Sequence, residues 1–166
     1  MSIYMAVSDK NETLFLPDEK DISILKLLQE NARLTIKEIS EKVHLSTTPV
    51  HERIKRMENS GIIKQYVTLV DPAKINKTLT VICYVSLKEH NKKSGSNFIN
   101  FINGLNEITE CYNISGEFDF MLKVICKDMN EYYNFHVNKL SQFENIGNVH
   151  STFVMGVIKQ THKLVW

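Results

Sequence analysis

Between Ser46 and Arg56 the sequence STTPVHERIKR places hydroxyls, an imidazole and cations within about three helical turns. Hydroxyls and imidazole both donate and accept hydrogen bonds, and guanidinium and ammonium groups bind anions. This is the chemistry of recognition. Stepping about 100° per residue along a helix from Ser46 to Ser60, Val50, Ile54 and Met57 form an apolar stripe. Thr48, Glu52, Lys55, Arg56 and Asn59 lie opposite, with His51 to one side and Arg53 nearer the apolar edge. Ser46, Thr47 or Thr48 can serve as N-cap, Pro49 fits the first turn, and Gly61 suits the C-terminal end. A helix fits the major groove of B-DNA, where its N-terminal residues reach base edges. Thr47, Thr48 and His51 are therefore expected near bases, and Lys55, Arg56 and Arg53 near phosphates. An ordinary helix pair with a solvated charged face has the same periodicity.

The elements before this helix would position it. Thr35 and Glu38 have capping-box spacing, and Leu34 and Ile39 stand where a hydrophobic staple closes. Ile36, Ile39 and Val43 give a short helix one apolar face, which stops at His44-Leu45-Ser46. Short helix, turn and longer helix make a helix-turn-helix. An earlier helix over about 18–31, with Ile22, Leu25 and Leu28 on its face, completes a three-helix head over 17–61. Residues 1–16 have no sustained period and read as an arm. Residues 62–70, IIKQYVTLV, are β-branched and predict a strand within a linker over 62–76.

The segment 77–166 has a strand-helix-strand-strand-helix-strand rhythm. Strands are expected over 79–87, 108–115, 118–127 and 149–159, and helices over 96–103 and 128–143, with Asp128 and Glu131 at capping-box spacing. The fold class is α+β: a helix-turn-helix head followed by a ferredoxin-like βαββαβ domain with an antiparallel sheet. Phe118, Phe120, Leu122 and Val124 would share one face of a strand, with Met121 and Ile125 on the other. Both faces of the sheet are apolar in pattern, which predicts a second copy packed against it as a homodimer.

No H-E-x-x-H, P-loop, G-x-G-x-x-G or nucleophile–base pair occurs, so no enzyme is expected. His44, His51, His90, His136, His150 and His162 are dispersed, and neither a metal site nor a cofactor is expected. The order βαββαβ also suits an RNA-recognition module, but ISGEFDFMLKV lacks the basic residue of that motif and carries Asp119 between Phe118 and Phe120. The 166 residues carry a net charge of +1, so affinity for nucleic acid must come from a local patch. The hydrophobic share of 43% and charged share of 23% are those of a globular protein, with no apolar run long enough to span a membrane. Three cysteines without C-x-x-C spacing and no evident signal peptide predict free thiols and a cytoplasmic location.

Taken together, LSTTPVHERIKRMENSGIIKQYVTLVDP (45–72), SGEFDFMLKV (115–124), DMNEYY (128–133) and IKQTHKLV (158–165) make the chain resemble the leucine-responsive/asparagine-regulator (Lrp/AsnC, feast/famine) family. The resemblance covers 16–166. It implies a winged helix-turn-helix transcription regulator that binds double-stranded DNA, dimerises through its sheets and often assembles into octamers. It further implies a small effector, commonly an amino acid, bound at the C-terminal domain. Asp119, Met129, Thr152, Phe153 and Val154 match the family's effector-response positions, and Thr152 stands where leucine-responsive members carry an aromatic residue. Independently, the Asp119 carboxylate suits a ligand ammonium, and the backbone of Gly116, Glu117 and Phe118 suits a ligand carboxylate. Asp119 fits a hairpin turn equally, and Met129 and Val154 fit a core. The alternative is an effector-independent regulator or an architectural DNA-organising protein of the same fold.

Overall fold

Asp18, Thr35 and Ser46 each begin a helix. The computed structural model describes residues 15–166, which fall into two compact units. Among the described residues, 15–69 and Lys159–Trp166 form a head, and Val70–Ile158 form a platform. The arm expected over 1–16 lies outside the described residues except for Phe15 and Leu16.

In the head, α1 spans Glu19–Glu30, α2 Ile36–Val43 and α3 Thr47–Asn59. Asp18 and Asp21 satisfy each other's backbone N–H groups, at 2.9 and 3.1 Å, in a capping box. Thr35 and Glu38 form the second box that their spacing predicts. The Lys20 ammonium donates to the Val43 carbonyl at 2.8 Å and so caps the end of α2. The turn into α3 places His44 at φ 54° and ψ 51°, the left-handed region that reverses the chain quickly. No one of these helices is long enough to be stable in isolation. Ile24, Leu25, Ile39, Val43, Val50, Ile54 and Met57 bury their stripes against one another.

In the platform, β1 (Leu79–Leu87), β2 (Ile108–Asn113), β3 (Phe120–Cys126) and β4 (Ile146–Phe153) form one antiparallel sheet in the order β2-β3-β1-β4. Helices α4 (Lys92–Ile102) and α5 (Met129–Asn138) complete the βαββαβ order. Alternation puts Val81, Cys83, Val85, Leu87, Phe120, Leu122, Val124 and Cys126 in one core with Phe98, Ile102, Tyr132 and Phe135 of the helices. β4 lies close to β1 where the register shifts at Ser86 and Leu87. A Cβ on Gly147 would stand 3.3 Å from the Ser86 carbonyl oxygen, so glycine fits there.

Several boundaries differ from expectation for identifiable reasons. Residues 62–70 form no strand, because a strand needs a ladder partner and the described chain supplies none beside them. The last strand starts earlier, at Ile146, and ends at Phe153, where the ladder with β1 runs out at Val81. α4 starts earlier, because Asn91 caps it by accepting the Ser94 N–H at 2.8 Å. α5 ends at Asn138, with a separate 3-10 turn at Leu140–Gln142. Phe118 precedes β3 and does not share the face of Phe120. Its ring instead lies 5.6 Å from Tyr84 and 6.3 Å from His150, on the face away from the helices.

Candidate nucleic-acid interface and effector face

Helix α3 presents two kinds of cation. Thr47, Thr48, His51 and Lys55 are exposed, and among the described residues their side chains take part in no hydrogen bond or ion pair. Ser46, the N-cap, is also exposed and makes no side-chain capping bond. The amides of the first turn therefore face outward with their partial positive charge. These groups form one polar surface because Val50, Ile54 and Met57, fully or almost fully buried, fix the opposite side of the helix in the core.

Arg53 and Arg56 are placed otherwise. The sequence reading set both toward phosphates. In the structure Arg53 Nη1 stands 2.6 Å from Asp18 Oδ2 and 2.7 Å from Asp21 Oδ1. Arg56 Nη2 stands 3.1 Å from Asp21 Oδ2, and its guanidinium lies 4.5 Å from the centroid of the Phe15 ring. Asp21 has no exposed surface. Its carboxylate and that of Asp18 raise the Arg53 guanidinium still further above its ordinary range. The Asp21 backbone N–H, and then Arg53, hold the Asp18 carboxyl below the usual aspartate value. Arg53 is thus a structural tie between α1 and α3, which periodicity alone could not distinguish from a surface cation.

The residues expected to meet an effector are not gathered into one place. Asp119 serves the fold: its Oδ2 accepts the Leu87 N–H at 2.7 Å, and its Oδ1 lies 3.0 Å from His90 Nδ1. Its backbone N–H donates to the Val85 carbonyl, and its carbonyl accepts the Ile114 N–H. This engagement differs from the expected free partner for a ligand ammonium. Gly116 sits at φ +128°, a conformation that L side chains rarely adopt, in an exposed bend with Glu117. Thr152 pairs with Ile82 and His150 with Tyr84, which places Thr152 on the same open face as Phe118. Phe153 faces the other way, edge-on to Tyr132 at 5.5 Å. Met129 opens α5 and is 56% exposed. Val154 follows β4, its N–H donating to Thr80. Cavities of about 440 and 450 Å³ occur in the head and the platform, and none of these effector positions lines either.

Sequence reasoning missed a polar thread through the platform core. The Tyr132 hydroxyl lies 2.5 Å from Ser151 Oγ and 3.3 Å from Cys83 Sγ. Burial raises the Cys83 thiol above its ordinary range and pushes Cys126 up to about 11, whereas Cys111 is exposed. All three are free cysteines. At neutral pH the two buried thiols are protonated and poor nucleophiles. Among the described residues no cluster of histidine, cysteine or carboxylate could hold a metal ion.

A head that shows the polar face of its third helix, carried with a βαββαβ platform, defines a class: a DNA-binding transcription regulator with a ligand-binding domain. The comparisons give the class a family. Residues 17–64 match the winged helix-turn-helix DNA-binding family, and residues 80–164 match the Lrp/AsnC ligand-binding domain. The chain is 35% identical over 144 residues to the transcriptional regulator AzlB of Bacillus subtilis, covering 87% of this chain and 92% of that one. It is 36% identical over 148 residues to the leucine-responsive regulatory protein of Haemophilus influenzae, covering 89% of each. A transcriptional regulator of Neisseria meningitidis, solved in complex with L-methionine, superposes with a TM-score of 0.85 at 35% identity, over 90% of this chain and 97% of that one. The chain belongs to the Lrp/AsnC family of transcription regulators, and it is not an enzyme.

Proposed function

We propose that the protein reads specific DNA sequences through α3 and adjusts its assembly or DNA affinity to an amino acid bound at the platform. The observation that carries the first half is the uncommitted face of α3: Thr47, Thr48, His51 and Lys55 point outward with no partner among the described residues. Hydroxyl and imidazole groups there suit base edges, and Lys55 with the helix N-terminus suits phosphates. Each dimer would read half-sites about one helical turn, or a multiple of it, apart. A gel-shift series tests the reading. Lys55→Gln should weaken binding to all duplexes and flatten its salt dependence, whereas Thr48→Ala or His51→Ala should change which sequence is preferred. Unchanged affinity and preference in all three variants would overturn the assignment.

The amino-acid reading is supported by the L-methionine complex of the similar Neisseria regulator. It is also supported by the exposed backbone at Gly116 and Glu117 and by Thr152 on the face of Phe118. A thermal-shift screen of the twenty amino acids tests it, since a ligand that binds only the native state raises the melting temperature. A shift abolished by Gly116→Val supports the site, and no shift with any of them removes the amino acid from the proposal. One observation favours an effector-independent regulator as the second reading: Asp119 already has partners for both carboxylate oxygens.

The partner of the platform's open face is proposed to be a second copy of the chain, with octamers built from such dimers. Ile82, Tyr84, Met121 and Ile125 are half-buried on the face opposite the core that the strands share with α4 and α5. The place of work is proposed to be the cytoplasm, in keeping with free thiols. No helix among the described residues is long and apolar enough to cross a membrane.

A further inference from the structure

We propose that Asp21 is the positioning residue of α3 and that, in the free protein, it withholds the Arg56 guanidinium from the DNA backbone; this rests on the DNA-reading function proposed above. Asp21 has no exposed surface and stands on the buried stripe of α1. Its Oδ1 binds Arg53 Nη1 at 2.7 Å, and its Oδ2 binds Arg56 Nη2 at 3.1 Å. The two guanidiniums arise from successive turns of one helix, so a single carboxylate fixes both the rotation of α3 about its axis and its shift along it. A rotation by one residue position would swing Thr48 and His51 by about 100°. The tie therefore sets which side chains face a base edge.

Arg56 differs from Arg53 in access. Its side chain is 51% exposed against 24% for Arg53. On the helical wheel it flanks the face that carries Thr48 and Lys55. It lies within reach of solvent, yet Asp21 holds one edge of its guanidinium and the Phe15 ring covers its plane. A phosphate and the Asp21 carboxylate compete for the same planar donor set. Because Asp21 is buried and Arg53 retains Asp18 as a second partner, removing the Asp21 charge releases Arg56 first.

The test is the salt dependence of binding to a short random-sequence DNA duplex. The slope of log K against log salt changes by about 0.9 for each phosphate neutralised. Asp21→Asn should steepen the slope by about one contact, and adding Arg56→Gln should remove that gain. In parallel, sequences selected from a random pool should become less uniform with Asp21→Asn, because α3 is no longer fixed. A merely structural role for Asp21 would lower the melting temperature and leave the slope unchanged. An unchanged slope overturns the restraint, and a steepening that survives Arg56→Gln overturns its assignment to Arg56. Failure of the unmodified protein to bind any duplex overturns the DNA-reading function and this proposal with it. Should Asp21→Asn not fold, Arg56→Gln in the otherwise unmodified protein decides: an unchanged slope supports the restraint, because Asp21 already keeps Arg56 from phosphate, and a slope shallower by about one contact overturns it.

Discussion

Lys55 and Arg56 are neighbours of like charge, and what separates them is the carboxylate beside one of them. The signal for that carboxylate was present in the sequence. Asp21, Leu25 and Leu28 fall at i, i+4 and i+7, and an aspartate on an apolar stripe is rarely buried unless paired. Which cation it would pair with was not legible, because that depends on how α1 crosses α3. Asp119 shows the same limit: its place three residues after Gly116 reads equally as a turn or a ligand site, and the bonds to Leu87 and His90 that engage both its carboxylate oxygens appear only in the folded chain. The Asp18 carboxyl, held low in the folded protein, yields a pH prediction. Its stabilising effect is complete above its unfolded value of about 4 and is lost as pH falls through the lower folded value. Denaturant midpoints measured down this range should fall, and Asp18→Asn should shallow the decline. An identical decline in the variant would count against the assignment.

At the scale of elements, periodicity located the five α-helices and four strands of the described residues, but it expected a linker strand that does not form and missed the 3-10 turns at Pro72–Ile75 and Leu140–Gln142. It erred where an element's end depends on its neighbour. β4 stops where β1 offers no further residue, and α5 yields to a 3-10 turn before Gln142. The caps were the most legible features, since Thr35 and Glu38 act over only three residues. The Asp128 box is partial: Asp128 caps the Glu131 N–H, but the Glu131 carboxylate turns to Lys77 and to the Lys127 N–H. The turn between α2 and α3 carries a strained residue. His44 occupies the left-handed region, which costs a side-chain-bearing residue about 1 kcal/mol or more. His44→Gly should therefore stabilise the head by roughly 0.5–1 kcal/mol, after allowing for the freer unfolded chain. Urea denaturation reads this directly, and a lower midpoint would show that the imidazole has a favourable contact.

At the scale of the whole molecule, the two cores share no buried residue, one centred on Met57 and the other on Phe98. The open face of the sheet is mixed: Ile82, Tyr84, Met121 and Ile125 are interleaved with Lys123, which pairs with Glu110 at 2.8 Å. The greasy pattern was legible in the strands, whereas the ion pair within it depends on the register of β2 against β3. Ile82→Glu places a charge in the centre of this face. If a second copy packs there, light scattering should show the assembly shifting toward monomer by tenfold or more in dissociation constant, as a buried unpaired charge demands. No change would move the interface elsewhere.

The last residues of the chain return to the head: the Leu164 N–H donates to Gln29 Oε1 at 2.6 Å, and Lys163 stands 4.0 Å from Glu30. During synthesis, the nascent helices α1 to α3 leave the ribosome long before this closing segment exists. The head must therefore wait for the entire intervening platform to be translated before its final contacts can form, so their closure is a late step of folding.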